Sequence, residues 1–298
     1  LRQEQEVAVP FFGSNIAGLK QKRDVTGLIQ FLKSKDRHTR TEAIKALGEL
    51  GDARAVPTLG DLLAAPEQPI GDLIHAANAL GKIDDATTVA VLQRAVRVSR
   101  QREQDLIDLA RAAPERRYRD GFYVNRISTD EYELRTTIAD AFANLATVDA
   151  LHALFEMLAN ETGAMESSIK SQVRVCIERA CTKLGARAAP VLCNQLRHHS
   201  IEVRQWSVQN LIHYPERPVI DALARVACDD AEVYDVRVAA LTTLSNIGDE
   251  PILPAIDELV TATNKSLARE AKQCAIAIRQ RLGLPFITGF GSNNPLIR

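Results

Sequence analysis

Nine arginines and no lysine fall between Arg94 and Arg126 against five acids, a surplus of four positive charges in a chain whose formal charge is −1. Arg100, Arg102, Arg116, Arg117, Arg119 and Arg126 stand there with Tyr118, Phe122 and Tyr123, in a chain with only fourteen aromatic residues. Planar guanidinium groups and ring faces give large contact area at low entropic cost, so this mixture suits a protein-binding surface. The same residues can also grip a phosphate backbone and stack on bases. These nine residues are the first candidate partner-binding set.

Other reactive residue types are scattered in ways that do not build a catalytic site. Cys176 and Cys181 are five apart, which turns them about 140° from each other on a helix, too far to share a metal. His198 and His199 neighbour Cys193 in a turn but lack a second paired motif. Glu131 and Glu133, beside Asp130, are expected to favour the positive N-terminal end of the helix leading to Arg135. No glycine-rich phosphate loop, His-Glu-x-x-His or nucleophile elbow is present. No catalytic residue, metal site or cofactor is assigned.

The elements that must position these residues repeat. An apolar helix, a short turn and a second helix recur about seven times, the second helix opening on an anchor position. Arg40, Leu73, Arg135, Arg174, Arg204, Arg237 and Ala268 fill that anchor. The positions one before and three, seven and ten after it share one helical stripe. They read Thr39, Ala43, Leu47, Leu50; then Leu134, Ile138, Phe142, Leu145; then Val236, Ala240, Leu244, Ile247. The first helices carry matching stripes such as Leu151, Leu154, Phe155 and Leu158. Helix pairs are expected at 24–50, 52–84, 86–145, 147–184, 186–214, 217–247 and 249–282, forming one solenoid over 1–298. Residues 1–23 form an N-terminal cap with a short helix near 16–21. Residues 283–298 form a C-terminal tail folded back over the last repeat.

The pattern breaks once. Arg40 to Leu73 takes 33 residues, as does Arg204 to Arg237, whereas Leu73 to Arg135 takes 62. The extra chain makes residues 99–128 an insertion in the third repeat, which prolongs its first helix until Pro114 and Gly121 force a loop. Repeat proteins place such insertions on one edge, where they make contacts. The arginine and aromatic cluster lies in this insertion.

Arg40 with Ala46-Leu47-Gly48-Glu49-Leu50-Gly51-Asp52-Ala53-Arg54-Ala55-Val56, and more weakly Ala79 to Asp85, resembles the HEAT-repeat family. Within that family it is similar to the short prokaryotic class of phycobilisome-lyase-type HEAT-like repeats. The resemblance implies an all-α fold, a right-handed superhelical solenoid of helix pairs. It implies no single function, because that class includes assembly scaffolds, adaptors and chromophore lyase subunits.

Positions one, four, five and eight after each anchor are expected to face the concave side of such a solenoid. Among them Ile44, Ile74, Asn78, Gln205, Val208, Gln209, Ile212 and Leu241 form a second candidate surface, a mildly apolar, hydrogen-bonding groove for a helix or extended peptide. In the first six repeats only Lys45, Asp140, Glu178 and Arg179 carry charge there, two of each sign, so the groove lacks a phosphate-binding stripe. The expected function is a protein-interaction scaffold or adaptor for an unidentified protein or peptide. The alternatives are a bilin lyase-like subunit and a nucleic-acid-binding module acting through the basic insertion, with nucleic acid the less favoured partner. Five cysteines are an odd number, and Cys176, Cys181 and Cys274 sit within helical patterns, which argues against a disulfide framework and fits a reducing cytoplasm. Residues 1–6 do not read as a signal peptide, and no run approaches the roughly 20 apolar residues that cross a bilayer.

Overall fold

Asp24, Asp36, Thr147 and Asn264 each stop the chain and start a helix, their side-chain oxygens accepting otherwise orphaned N–H groups of the first turn. The computed structural model describes residues 12–65, 68–112, 117–162, 165–261 and 263–285, with the side chains of 12–14, 110 and 117–128 outside that description. Among the described residues there are fifteen α-helices and no strand.

The chain divides into two compact units, residues 1–184 and 185–298. The first holds α1 (Phe12–Gln21), α2 (Val25–Phe31), α3 (Arg37–Leu50), α4 (Val56–Ala64), α5 (Ile70–Leu80), α6 (Thr88–Ala112), α7 (Arg117–Leu145), α8 (Val148–Asn160) and α9 (Glu166–Leu184). The second holds α10 (Ala188–Gln195), α11 (Ile201–Asn210), α12 (Arg217–Cys228), α13 (Tyr234–Ile247), α14 (Leu253–Val260) and α15 (Lys265–Leu282). From α2 onward the helices form seven pairs, α1 standing in front where a short helix is expected. In the first unit the second helices α3, α5, α7 and α9 pack side by side, as do the first helices α4, α6 and α8. In the second unit α11, α13 and α15 form one row and α10, α12 and α14 the other.

The core lies between the rows. Ala43 and Leu47 of α3, Ile138 and Phe142 of α7, and Ala240 and Leu244 of α13 are fully buried, as the stripes predict. Facing them are Leu59 and Leu63 of α4 and Leu151, Leu154, Phe155 and Leu158 of α8. No single pair can bury both its faces, so each depends on its neighbours.

Two glycines set how closely the second helices approach. A Cβ on Gly48 stands 2.6 Å from the Ala79 Cα, and one on Gly81 stands 2.7 Å from the Ala141 Cα. The α3–α5 and α5–α7 contacts are therefore backbone against backbone, which only glycine allows at these two positions.

One pair departs from the expected loop. Helix α7 begins at Arg117 and runs through Gly121, so the chain between the two long helices is shorter than Pro114 to Gly121. A single interior glycine costs a helix only about 1 kcal/mol against alanine, which helical propagation on both sides offsets. Residues 286–298, most of the expected tail, lie outside the described residues.

Candidate functional site

Two of the repeats join the next through an arginine at the anchor. Arg40 donates from Nη1 to the carbonyls of Ser34 (2.9 Å) and Lys35 (3.1 Å) in the preceding turn, and from Nε to Asp72 of the next pair (2.8 Å). Arg204 repeats the arrangement, donating to the carbonyls of His198 (2.8 Å) and His199 (3.1 Å) and to both oxygens of Glu232 (2.8 Å each). The offsets are six and five residues back in both cases. One guanidinium thus satisfies a turn and ties it to the following repeat.

At Arg135 this joint is rebuilt. The residues six and five before it, Thr129 and Asp130, lie inside α7, where the helix itself uses their carbonyls. Glu103 and Ser99 of α6 take the place of the turn: Arg135 Nη2 lies 2.6 Å from Glu103 Oε2, and Nη1 is 3.4 Å from Ser99 Oγ. Glu161, which ends α8, fills the next-repeat role at 3.3 Å from Arg135 Nε and also accepts from Arg100 at 2.6 Å. Arg102 closes the set with Glu131 at 3.1 Å. Three arginines and three glutamates cancel in charge. The side chains of Arg135 and Glu161 are wholly buried, those of Glu103 and Glu131 nearly so. Burial pushes the Glu131 carboxyl above its ordinary range, against the downward pull of Ser99, Arg102 and Arg135.

This cluster sits within a hairpin of unusual length. Helices α6 and α7 have 25 and 29 residues, against 9 and 11 for α4 and α5. At 1.5 Å per residue α6 alone runs for about 37 Å. Beyond the cluster its surface neutralises itself: Gln101 bonds Asp105, Gln104 bonds Asp108 and Arg111 pairs with Asp108. Leu109 is left 66% exposed.

The structure sorts the first candidate set. Arg100 and Arg102, grouped by composition with the arginines further along, turn into the buried cluster, with side chains only 24% and 18% exposed. Arg116 lies outside the described residues, as do the side chains of Arg117, Tyr118, Arg119, Phe122, Tyr123 and Arg126. Glu131 was expected near a helix start. It is instead mid-helix, because α7 begins fourteen residues earlier, at Arg117. Composition gave no sign that Glu103 and Glu131 serve the joint, since acids along a helix usually face water. The usable signal was position, for Glu103 lies 32 residues before Arg135, close to the repeat spacing.

The second candidate set also divides. Ile44, Val208 and Leu241 belong to the core rather than to an open groove, with 1%, 0% and 1% exposure. All three stand four residues after an anchor, a position drawn into the packing between adjacent second helices. Ile74, Gln205 and Ile212 are half-buried, while Asn78 and Gln209 are exposed. The charges on this face are mostly spent locally: Arg179 pairs with Asp140 at 2.6 Å, and Lys45 with Glu42 at 3.1 Å.

The thiols are quiet. All five cysteines are free. Burial pushes Cys176 and Cys181 up to about 12 and Cys274 up to about 11, so all three stay protonated at neutral pH. The rings of His198 and His199 lie 4.2 Å apart. Among the described residues no group of three or more His, Cys, Asp or Glu is placed to hold a metal ion. No helix there is long and apolar enough to cross a membrane.

Paired helices stacked through anchor arginines define a helical-repeat protein. A family model described as HEAT repeats matches residues 14–72, 27–107 and 189–277, together more than half of the chain. The chain belongs to the HEAT-repeat family. Similar solved structures include human deoxyhypusine hydroxylase in complex with glycerol, 16% identical, with a TM-score of 0.36 over 90% of this chain and 89% of that one. Another is the complex of CpcE and CpcF of phycocyanin lyase from Nostoc sp. PCC7120, 17% identical, with a TM-score of 0.36 over 85% of this chain and 94% of that one. No curated protein matches the chain in sequence.

Proposed function

We propose that this chain is a protein-interaction scaffold whose principal contact is the α6–α7 hairpin. The carrying observation is the buried cluster around Arg135. Six charged side chains from three helices fix the base of two helices far longer than their neighbours. An arm held this way meets a partner with little further loss of freedom, which favours binding. Arg116, Arg117, Tyr118, Arg119, Phe122, Tyr123 and Arg126 supply its far end with cations and rings suited to an acidic protein surface. Ile74 and Asn78 of α5, Gln205 and Gln209 of α11, and Ile212 in the turn after α11 offer secondary contacts. Five free thiols fit a reducing compartment such as the cytoplasm.

Reversing Arg116, Arg117 and Arg119 to glutamate tests this reading. The variant should keep its helical content and lose its protein partner at least tenfold in affinity. Retained binding to that partner contradicts the reading. Capture of nucleic acid instead, weakening steeply between 50 and 200 mM salt by roughly the thousandfold range seen for phosphate contacts, favours the nucleic-acid alternative. A bilin that binds and shifts its absorption favours the lyase-like one.

A further inference from the structure

In the second unit a cavity of about 740 Å³ runs between α10 and α12, on the row opposite α11 and α13. Small apolar side chains line its floor: Ala189, Cys193, Val219, Ala222 and Val226. The corresponding trough of the first unit, between α2 and α4, encloses about 540 Å³ and is lined by Lys33, Arg40, Asp61 and Gln68 beside Leu32 and Leu62. There the arginine is already committed to Asp72. In the α10–α12 trough the cations are uncommitted. Arg197, just past α10, and Arg225, in the last turn of α12, are exposed and have no ion-pair partner among the described residues. Of the acids on the same rim, Glu232 is spent on Arg204 and Asp229 accepts from the Ala231 N–H. Glu216 stands at the opposite end, before α12 begins. The exposed amide of Asn194 borders the trough between these charges.

We infer that this trough docks a short extended peptide that places an acidic side chain beside one or two apolar ones. Length and charge both point there. The eight residues of α10 rise about 12 Å, room for roughly four residues of extended chain at about 3.3 Å each. The apolar side chains cover the Ala189–Ala222 floor, the carboxylate meets Arg197 and Arg225, and Asn194 is free to bond the peptide main chain. This trough shares no residue with the hairpin, so it stands or falls independently of the function proposed above.

The test is selection of a random octapeptide display library on the intact chain, followed by titration of the enriched peptides in labelled form. Enriched sequences are expected to carry Asp or Glu within two residues of an apolar side chain. Arg225→Glu and Arg197→Glu change exposed residues and should leave helical content intact, yet each should weaken the peptide at least tenfold. A peptide with its acid changed to lysine should recover binding on Arg225→Glu. Bound peptide should slow alkylation of Cys193, with Cys193→Ser confirming the assignment of that signal. The inference is overturned if nothing is enriched above the naive library, or if enriched peptides lack acids. It is also overturned if both reversals leave affinity unchanged, including the case where they lower the melting temperature and so serve only the helix ends.

Discussion

Arg135 shows what one buried charge commits a chain to. Its guanidinium is wholly inside the protein, and two carboxylates depend on it. Arg135→Ala leaves Glu103 and part of Glu161 buried without a counter-charge, and should cost about 3–5 kcal/mol in urea denaturation. Removing both members, as Glu103→Leu with Arg135→Met, should recover more than half of that loss, because well-packed apolar replacements avoid the desolvation of ions. Glu131 makes the second test at this scale. Its pKa is raised on folding, so its contribution to stability is fully present below the ordinary value of 4.5 and is lost as pH rises through its folded value. Glu131→Gln should therefore reduce the part of the wild-type stability that is lost as pH rises from 4.5 to 7, measured as the change in urea midpoint between the two pH values. An unchanged difference would place Glu131 in contact with water. The anchor arginines were legible in the sequence because they recur at the repeat spacing. Their carboxylate partners were not, because Asp72, Glu103 and Glu232 reach the joint from different offsets and look like ordinary surface acids.

Helices in this chain are set by stripes, caps and two close approaches. The stripes were readable residue by residue, and Thr39, Ala43 and Leu47 are buried where the 3.6-residue period puts them. Gly48 and Gly81 were visible only as part of the family resemblance. Their purpose emerges when Ala79 and Ala141 are seen packed against them. Alanine at an interior helix site ordinarily gains close to 1 kcal/mol over glycine. Here Gly48→Ala and Gly81→Ala should instead destabilise by about 1–3 kcal/mol, since the new methyl meets backbone that must move; a raised melting temperature would mean that the helices separate freely. The hairpin was anticipated from the long gap between anchors, but the start of α7 was not. Pro114 and Gly121 read as loop signals, and a glycine inside a long helix gives no local sign of its tolerance. The inner-face positions four after each anchor failed for a related reason, because periodicity gives direction around a helix and not how near the next helix comes.

Repetition governs the molecule as a whole. Each pair leaves apolar faces that only its neighbours cover, so the fold was recoverable from period and stripe, while the proposed function rests on the one pair that departs from the period. That departure joins two things the sequence kept apart, a basic aromatic segment and a charge-neutral buried joint that holds its base. It also determines how the segment should be removed. Excising residues 99–128 takes away Ser99, Arg100, Arg102 and Glu103 and leaves Arg135 and Glu161 buried without them, so any lost binding could follow from unfolding. Replacing residues 107–126 with a short turn shortens the arm and spares every member of the cluster. The decisive measurement is nuclease-treated affinity capture with mass spectrometry from the native host, comparing the intact chain with this shortened one after both are shown to have equal helical content per residue. The scaffold account predicts a protein retained by the intact chain and lost with the shortened arm; the same protein captured equally by both would contradict it.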